Sequence, residues 1–144
     1  MTALLDVSAL IALLDPDHAA HQTVNRWICD HPDEPWATCA LTENGYIRIV
    51  SQPSYPNRLG IPLAVAALAA ARGTPRHQFW DCELSIADPA AVHPNAILGP
   101  AQVTDTYLLA LAVSRGGRFL TLDRRASTAA VAGAQAASLV LLQA

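Results

Sequence analysis

The chain has 144 residues, of which 52% are hydrophobic and 15% are charged, and its formal net charge is −3. This composition excludes intrinsic disorder, which needs few apolar groups and much charge, and the length predicts a single domain spanning residues 1–144. All nine cationic residues are arginine. Because lysine is absent, the chain can form neither a Walker A phosphate loop nor a Schiff base.

Short apolar runs alternate along the chain with helical patterns, which is typical of an α/β domain with a central, mostly parallel sheet flanked by helices. The predicted strands are residues 3–5, 36–37, 78–80, 119–122 and 139–142. The predicted helices are residues 8–14, 18–28, 40–50, 61–72 and 102–114. We expect Ser8 to cap the first helix, Thr38 to cap the third, and Gly116-Gly117 to close the last.

Cysteine usage and hydropathy bear on where the protein works. The three cysteines, Cys29, Cys39 and Cys82, form no CxxC pair, which favours reduced thiols over a disulfide framework or a zinc site. No basic leader segment is visible, and the longest apolar run, residues 62–71, is far shorter than the roughly 20 residues that span a bilayer. We therefore expect a soluble, cytoplasmic protein that makes no membrane contact.

Four acidic residues stand where apolar residues would be expected. Asp6 and Asp123 follow predicted strands directly, so in a parallel sheet both lie at the carboxyl edge, where ligands bind. Glu43 and Asp105 begin the apolar stripes of two predicted helices. Each acid alone has an ordinary interpretation, as a loop cap or a side chain reaching solvent. Four such acids together favour a shared site.

Four converging carboxylates repel one another, and a divalent cation relieves that repulsion. Oxygen ligands suit Mg²⁺ or Mn²⁺, and Mg²⁺ typically takes one or two carboxylates and keeps several waters. The neighbouring hydroxyl groups of Ser8, Thr104 and Thr121 are placed to hold waters or to orient the carboxylates. Such a metal can activate a water molecule for hydrolysis of a phosphodiester.

At these residues the chain resembles the PIN-domain proteins, specifically the VapC-type toxins of bacterial toxin–antitoxin pairs. The resemblance covers nearly the whole chain and rests on four motifs. These are Leu5-Asp6-Val7-Ser8, Leu41-Thr42-Glu43-Asn44-Gly45 with Ile47-Arg48, the run from Val103-Thr104-Asp105-Thr106 to Ala112, and Leu120-Thr121-Leu122-Asp123-Arg124. The order and spacing of the four acids match the family, and none of the four positions departs from its pattern.

The resemblance implies a three-layer PIN-like fold and a Mg²⁺-dependent endoribonuclease that cleaves transfer or ribosomal RNA, leaving a 5′-phosphate and a 3′-hydroxyl. It assigns metal binding most firmly to Asp6 and Asp105, with Glu43 and Asp123 completing the acidic site. It also implies inhibition by a cognate VapB-type antitoxin, and homodimers. The sequence names neither the RNA nor the antitoxin.

Three arginines, Arg48, Arg124 and Arg125, are candidates for contacts with RNA phosphates, although surface ion pairs explain them equally well. The segment 77–80 offers aromatic rings that can stack on an unpaired base, but we favour packing in the core. His18 and His21 are spaced like metal ligands, yet an ordinary exposed first helical turn is the preferred interpretation. Helices 18–28 and 40–50 are candidates for an apolar antitoxin groove or dimer interface.

Two other functions compete with the nuclease. One is a catalytically inactive PIN-like module that binds RNA or protein, which the intact set of four acids argues against. The other is a phosphohydrolase with Asp6 as nucleophile. The missing lysine argues against that enzyme, as does the presence of Ser8 where a second acid would stand.

Overall fold

The computed structural model describes residues 1–143 and contains a central sheet. Its strands are β1 (Ala3–Leu5), β2 (Trp36–Cys39), β3 (His77–Trp80), β4 (Arg118–Thr121) and β5 (Leu139–Leu141). They form one sheet in the order β3-β2-β1-β4-β5, and every pairing is parallel. The predicted α/β architecture is confirmed. That residues 1–144 form a single domain stays a prediction, and its last residue, Ala144, lies outside the described residues.

Five helices connect these strands. They are α1 (Val7–Leu14), α2 (His21–Asp30), α3 (Ala40–Val50), α4 (Ile61–Arg72) and α5 (Val103–Ser114). Three short 3-10 turns, Pro94–Ala96, Pro100–Gln102 and Ala136–Ser138, lie in the remaining connections. Gly116 ends α5 with φ of 67°, a left-handed conformation that glycine adopts without strain, so the predicted glycine stop is confirmed.

The two predicted helix caps are wrong by one or two residues. Asp6, not Ser8, caps α1, and its carboxylate accepts a hydrogen bond from the Val7 N–H at 2.6 Å. Cys39, not Thr38, is the N-cap residue of α3. In both places the strand and the helix follow each other with almost no loop, so a residue at the strand end serves as the cap.

Helix α2 begins at His21 rather than at residue 18 because local side-chain bonds hold a turn before it. The Asp15 carboxylate accepts a hydrogen bond from the Asp17 N–H, and the His18 Nδ1 accepts one from the Ala20 N–H. Such bonds give the backbone an alternative to the first helical turn. His21 Nδ1 lies 2.8 Å from the Ala12 carbonyl oxygen. Both rings therefore contact the local backbone. The expectation of an exposed first helical turn is wrong here, because His18 lies before the helix and both histidines are half-buried.

Alternation along the strands sends side chains to two separate cores. Leu4 and Phe119 pack with α5 on one face of the sheet. Leu5 and Leu120 pack with the helices α1 to α4 on the other face. The result is a three-layer molecule, as predicted. The sheet reverses its direction of winding at β1, so the carboxyl ends of β1 and β4 form the crevice where α/β folds bind ligands.

Helix α5 is buried around almost its whole circumference. Seven consecutive residues, Thr106 to Ala112, are buried. The inner side of α5 packs on the sheet, and its outer side is covered by the chain around Leu84, Ile86 and Val92. Val92 also pairs with Val131 in an isolated antiparallel bridge. This enclosure fixes the first turn of α5 against the sheet edge. Within residues 1–143, no helix is long and apolar enough to cross a membrane.

Gly117 lies where α5 and β4 meet the neighbouring backbone. A Cβ atom there would stand 2.5 Å from the Thr2 carbonyl oxygen and 2.9 Å from the Trp80 ring. We predict that Gly117→Ala lowers the free energy of unfolding by about 2–3 kcal/mol, because the clash involves backbone and a core ring. Chemical denaturation measures the change. Gly99→Ala is the matched control, since nothing lies within 4 Å of its added methyl group; equal stability of the two variants would contradict the prediction.

Candidate active site

Asp6 lies at the centre of the crevice, between the end of β1 and the start of α1. Its side chain is nearly buried, with 7% exposed. Besides capping α1 through Oδ1, the carboxylate accepts hydrogen bonds at Oδ2 from the Ser8 hydroxyl at 2.9 Å and the Thr121 hydroxyl at 2.7 Å. Charge-assisted bonds of this kind hold an ionised carboxylate in one orientation.

Thr121 and Ser8 join the ends of β1 and β4. The Thr121 Oγ1 donates to Asp6 and accepts from the Asp123 N–H at 3.1 Å, and the Ser8 Oγ accepts from the Leu122 N–H at 3.4 Å. Two of the three predicted hydroxyl groups thus contact the acidic centre. Thr104, the third, is exposed on α5, and no hydrogen bond joins its hydroxyl group to these acids within residues 1–143.

Asp123 comes two residues after β4 and pairs with Arg125. The Arg125 Nε and Nη2 lie 3.1 Å from the two carboxylate oxygens, and the Arg125 N–H donates to Oδ1 at 2.9 Å. These bonds to Arg125 lower the pKa of Asp123 below its ordinary value. Arg125 therefore balances a charge of the acidic centre in this structure, besides being a candidate for RNA contact.

Asp105 projects from the first turn of α5 towards the same centre. Burial, and after it the nearby carboxylates of Asp6 and Asp123, together raise the pKa of its carboxyl group to about 7, against a smaller opposing effect of Arg125. The electrostatic effect of Asp6 and Asp123 on Asp105 indicates that these three of the four predicted acids lie near one another at this edge of the sheet. That the four acids form one shared metal site stays a prediction.

Glu43 stands apart in its contacts. It lies on α3, 8% exposed, and both carboxylate oxygens have partners within the chain. Oε2 accepts from the Thr38 hydroxyl at 2.7 Å, and Oε1 forms an ion pair with Arg72 Nη1 at 3.2 Å. Helix α3 follows β2 directly, and β2 lies beside β1 in the sheet. Glu43 therefore flanks the same edge of the sheet. No hydrogen bond joins it to Asp6, Asp105 or Asp123 in the described part of the chain.

The chemistry of this centre fits a hard divalent cation. All of its side-chain donors are carboxylate or hydroxyl oxygens, and the raised pKa of Asp105 shows an acid without sufficient positive compensation. Within residues 1–143, no three histidine, cysteine or acidic side chains are already close enough together to enclose an ion. Since Mg²⁺ needs only one or two carboxylates and keeps its waters, this spacing is compatible with it.

The predictions for the arginines, for the segment 77–80 and for the cysteines have different outcomes. Arg48 and Arg124 are exposed, on α3 and beside Asp123 respectively, and neither forms an ion pair within residues 1–143. The expected core packing of segment 77–80 holds for Trp80 but is wrong for Phe79, which is 42% exposed under the Arg72 guanidinium group. The three thiols are free, as predicted.

Helices α2 and α3 were the expected candidates for an apolar interface. Their buried apolar residues pack within the molecule, and α3 also exposes Leu41. Large apolar side chains are exposed on α4 as well, at Ile61, Leu63 and Val65. That residues 18–28 and 40–50 form an antitoxin groove or dimer interface stays a prediction.

Three residues near Glu43 escaped the sequence analysis. The sequence placed Arg72 at the end of a predicted helix, Thr38 at a helix cap and His77 in the segment 77–80, and related none of them to Glu43. Arg72 and His77 lie 29 and 39 positions along the chain from their partners. At such separations no local pattern gives a signal, and only the pairing of β2 with β3 brings them together.

Solved structures of known proteins share this fold. VapC20 of Mycobacterium tuberculosis, described as a toxin that cleaves the sarcin–ricin loop, superposes with a TM-score of 0.58 at 17% identity, over 81% of this chain and 85% of its own. VapBC2 of Rickettsia felis, bound to a DNA fragment from its promoter, gives 0.54 at 9% identity, over 87% and 90%. At these identities the likeness shows the fold, that of the PIN-domain toxins.

Sequence relatives are much closer. Ribonuclease VapC44 of Mycobacterium tuberculosis is 45% identical over 142 residues, 99% of this chain and all of the relative. Ribonuclease VapC39 of the same species is 40% identical over 134 residues, 92% of this chain and 96% of the relative. No family model matches. The chain belongs to the VapC family of PIN-domain ribonucleases, the toxins of toxin–antitoxin systems.

The raised pKa of Asp105 should make the free energy of unfolding depend on pH. Because the folded protein holds this proton more tightly than the unfolded chain, stability in the presence of a chelator should fall as pH rises from about 4 to about 7. We predict that Asp105→Asn stabilises the chelator-treated protein by about 1–2 kcal/mol at pH 8 and not at pH 4. Denaturant titrations at the two pH values measure this. Asp33→Asn, an exposed acid on the surface, removes the same charge and should change stability little; an equal gain in both variants would count against the local cause.

Proposed function

We propose that this chain is a Mg²⁺-dependent endoribonuclease that hydrolyses phosphodiester bonds in RNA as the toxin of a toxin–antitoxin pair. The observation that carries the proposal is the convergence of Asp6, Asp105 and Asp123 at the carboxyl ends of β1 and β4, with the pKa of Asp105 raised to about 7. A centre that concentrates negative charge is suited to bind a cation. The family relationship supplies RNA as the substrate class.

In this proposal Asp6 and Asp105 are the principal ligands of Mg²⁺ or Mn²⁺, and Glu43 and Asp123 complete the acidic site. A bound divalent cation supplies an activated water and stabilises the leaving oxygen of an in-line displacement. Ser8 and Thr121 hold the Asp6 carboxylate in its orientation by donating to Oδ2. Thr104, exposed beside Asp105, is the group left to hold solvent or substrate.

The arginines give the acidic protein its positive contacts. Arg124 and Arg125 follow the acidic centre directly, and Arg48 lies exposed on the helix that carries Glu43. We propose that they bind phosphates of a single-stranded segment within a structured RNA. Cleavage would leave a 5′-phosphate and a 3′-hydroxyl. Both transfer RNA and ribosomal RNA fit this class, and VapC20, whose fold this chain shares, is described as cleaving the sarcin–ricin loop.

We also propose a VapB-type antitoxin as partner, and a homodimer as the resting assembly. Support comes from the family and from a shared fold with VapBC2, a toxin–antitoxin complex bound to promoter DNA. The exposed Ile61, Leu63 and Val65 on α4 offer an apolar surface that a partner segment can cover. An antitoxin arginine can further neutralise the acidic centre.

The decisive measurement is cleavage of total cellular RNA by the purified protein. We expect cleavage with Mg²⁺, none with chelator, and a loss of about 100-fold or more in Asp6→Asn and Asp105→Asn, because each removes a metal ligand. Asp33→Asn, outside the site, should retain the parental rate. Sequencing of the cleaved ends identifies the RNA.

The same assay separates the competing functions. RNA binding with no cleavage under any metal condition would favour the inactive binding module. Release of phosphate from small phosphomonoesters, lost in Asp6→Asn, would favour the phosphohydrolase. Cleavage that persists in chelator would contradict the proposed metal dependence.

Substrate binding by the arginines makes a second prediction. Arg124→Gln should raise KM for RNA several-fold with little change in kcat and should reduce the dependence of KM on salt, because one phosphate contact is lost. Steady-state kinetics at two salt concentrations measure both effects. Arg26→Gln, an exposed arginine on α2, is the charge-matched control; the same rise in KM there would point to net charge rather than to a local contact.

A further inference from the structure

A chain of hydrogen bonds runs from the edge strand of the sheet to the carboxylate of Glu43. The His77 Nε2 on β3 lies 2.7 Å from the Thr38 Oγ1 on β2, and that oxygen lies 2.7 Å from the Glu43 Oε2 on α3. Thr38 is fully buried and Glu43 nearly so. Three separate elements thus meet at one buried hydroxyl group.

The direction of each bond follows from counting protons. An ionised carboxylate only accepts, so the single Thr38 proton is donated to Glu43. The Thr38 oxygen must then accept from the imidazole, which places a proton on Nε2 of His77. His77 Nε2–H therefore donates to the Thr38 Oγ1, and the Thr38 hydroxyl group donates to the Glu43 Oε2. With an ionised Glu43, this is the one consistent arrangement of the protons. Such a sequence of donors polarises each successive bond and fixes its geometry.

Neighbouring side chains restrict both ends of this row of hydrogen bonds, His77 and Glu43. The Trp36 ring contacts His77 edge-on, with centroids 4.7 Å apart, which restricts the imidazole. At the other end Arg72 Nη1 binds the Glu43 Oε1 at 3.2 Å, and its guanidinium carbon lies 4.8 Å above the Phe79 ring. Each oxygen of Glu43 is therefore held by a different group, so the carboxylate cannot rotate without breaking a buried bond.

We propose that Thr38 and His77 are positioning residues for the reaction: through the hydrogen-bonded chain they fix the Glu43 carboxylate in the orientation the acidic site uses, with Arg72 as its counter-charge. This inference rests on the proposed function, which gives Glu43 its place in that site. Neither Thr38 nor His77 touches substrate in this scheme. Partners that orient an acidic ligand in this way typically contribute 10- to 100-fold to activity.

Thr38→Val tests the chain because valine keeps the shape of threonine and removes its hydroxyl group. We expect kcat for RNA cleavage to fall about tenfold with KM changed less than about twofold, while Thr38→Ser retains most of the activity. His77→Phe should lower kcat similarly, and His77→Gln, whose amide can donate from the position of Nε2, should restore most of it. Thr23→Val, a half-buried threonine on α2, is the control for the loss of a hydroxyl group.

Non-additivity separates a positioning role from a structural one. Combined with Glu43→Gln, the Thr38→Val change should cost no further activity, since it acts through the carboxylate that is already gone. Nitrogen NMR of the imidazole at pH 8 gives a readout independent of folding losses. We expect a His77 Nε2 proton protected from solvent exchange, and rapid exchange of that proton in Thr38→Val.

The possible results separate a failure of the positioning role from a failure of the proposed nuclease function. If Glu43→Gln abolishes cleavage and Thr38→Val keeps the parental kcat, the positioning role is wrong and the nuclease assignment stands. A proton found on Nδ1 with Nε2 bare would also overturn the chain as described. If Glu43→Gln itself cleaves RNA normally while Asp105→Asn does not, Glu43 is outside the site and the inference fails with that part of the proposal. A kcat loss in Thr38→Val that adds fully to that of Glu43→Gln would show a general structural effect.

Discussion

Repulsion between carboxylates at one edge of a parallel sheet is the constraint around which this molecule is arranged. Burial of Asp105 at the start of α5, together with the nearby carboxylates of Asp6 at the end of β1 and Asp123 after β4, raises the pKa of Asp105 to about 7. A fold does not gather such charges for its own stability, because burial and like charge both disfavour ionisation. They persist because the packing that positions them is strong, with β1 buried and α5 enclosed on nearly all sides.

The acids differ in how the chain compensates them, and the differences define their roles. Asp6 accepts hydrogen bonds from two hydroxyl groups and a backbone N–H, which fix its orientation. Asp123 has Arg125, and Glu43 has Arg72. The ionised form of Asp105 is stabilised by Arg125, but burial and the nearby carboxylates of Asp6 and Asp123 outweigh that effect. The least compensated acid is the one that an added cation would stabilise most, which is the electrostatic reason for proposing a metal site beside it.

Compensation by arginine has a second consequence in a chain without lysine. A guanidinium group can hold two oxygens of a carboxylate at once or lie flat on an aromatic ring while bound to an acid. Arg125 does the first with Asp123 and Arg72 does the second between Glu43 and Phe79. Both arginines therefore fix the orientation of an acid as well as its charge. The oriented acids then present a defined set of oxygens along the carboxyl edge of the sheet.

The sequence by itself determined the alternation of strands and helices, the parallel sheet and the placement of acids at strand and helix ends, because these depend on local periodicity and on residues adjacent in the chain. It also predicted a shared site of Asp6, Glu43, Asp105 and Asp123, since strand ends of a parallel sheet share an edge. Only the tertiary structure decided that Asp6 rather than Ser8 caps α1, and that Glu43 is bound by Thr38 and Arg72. It alone also joined His77 to Thr38. Caps depend on where a strand ends to within one residue, and contacts across 29 to 39 positions depend on strand pairing, which no local pattern encodes.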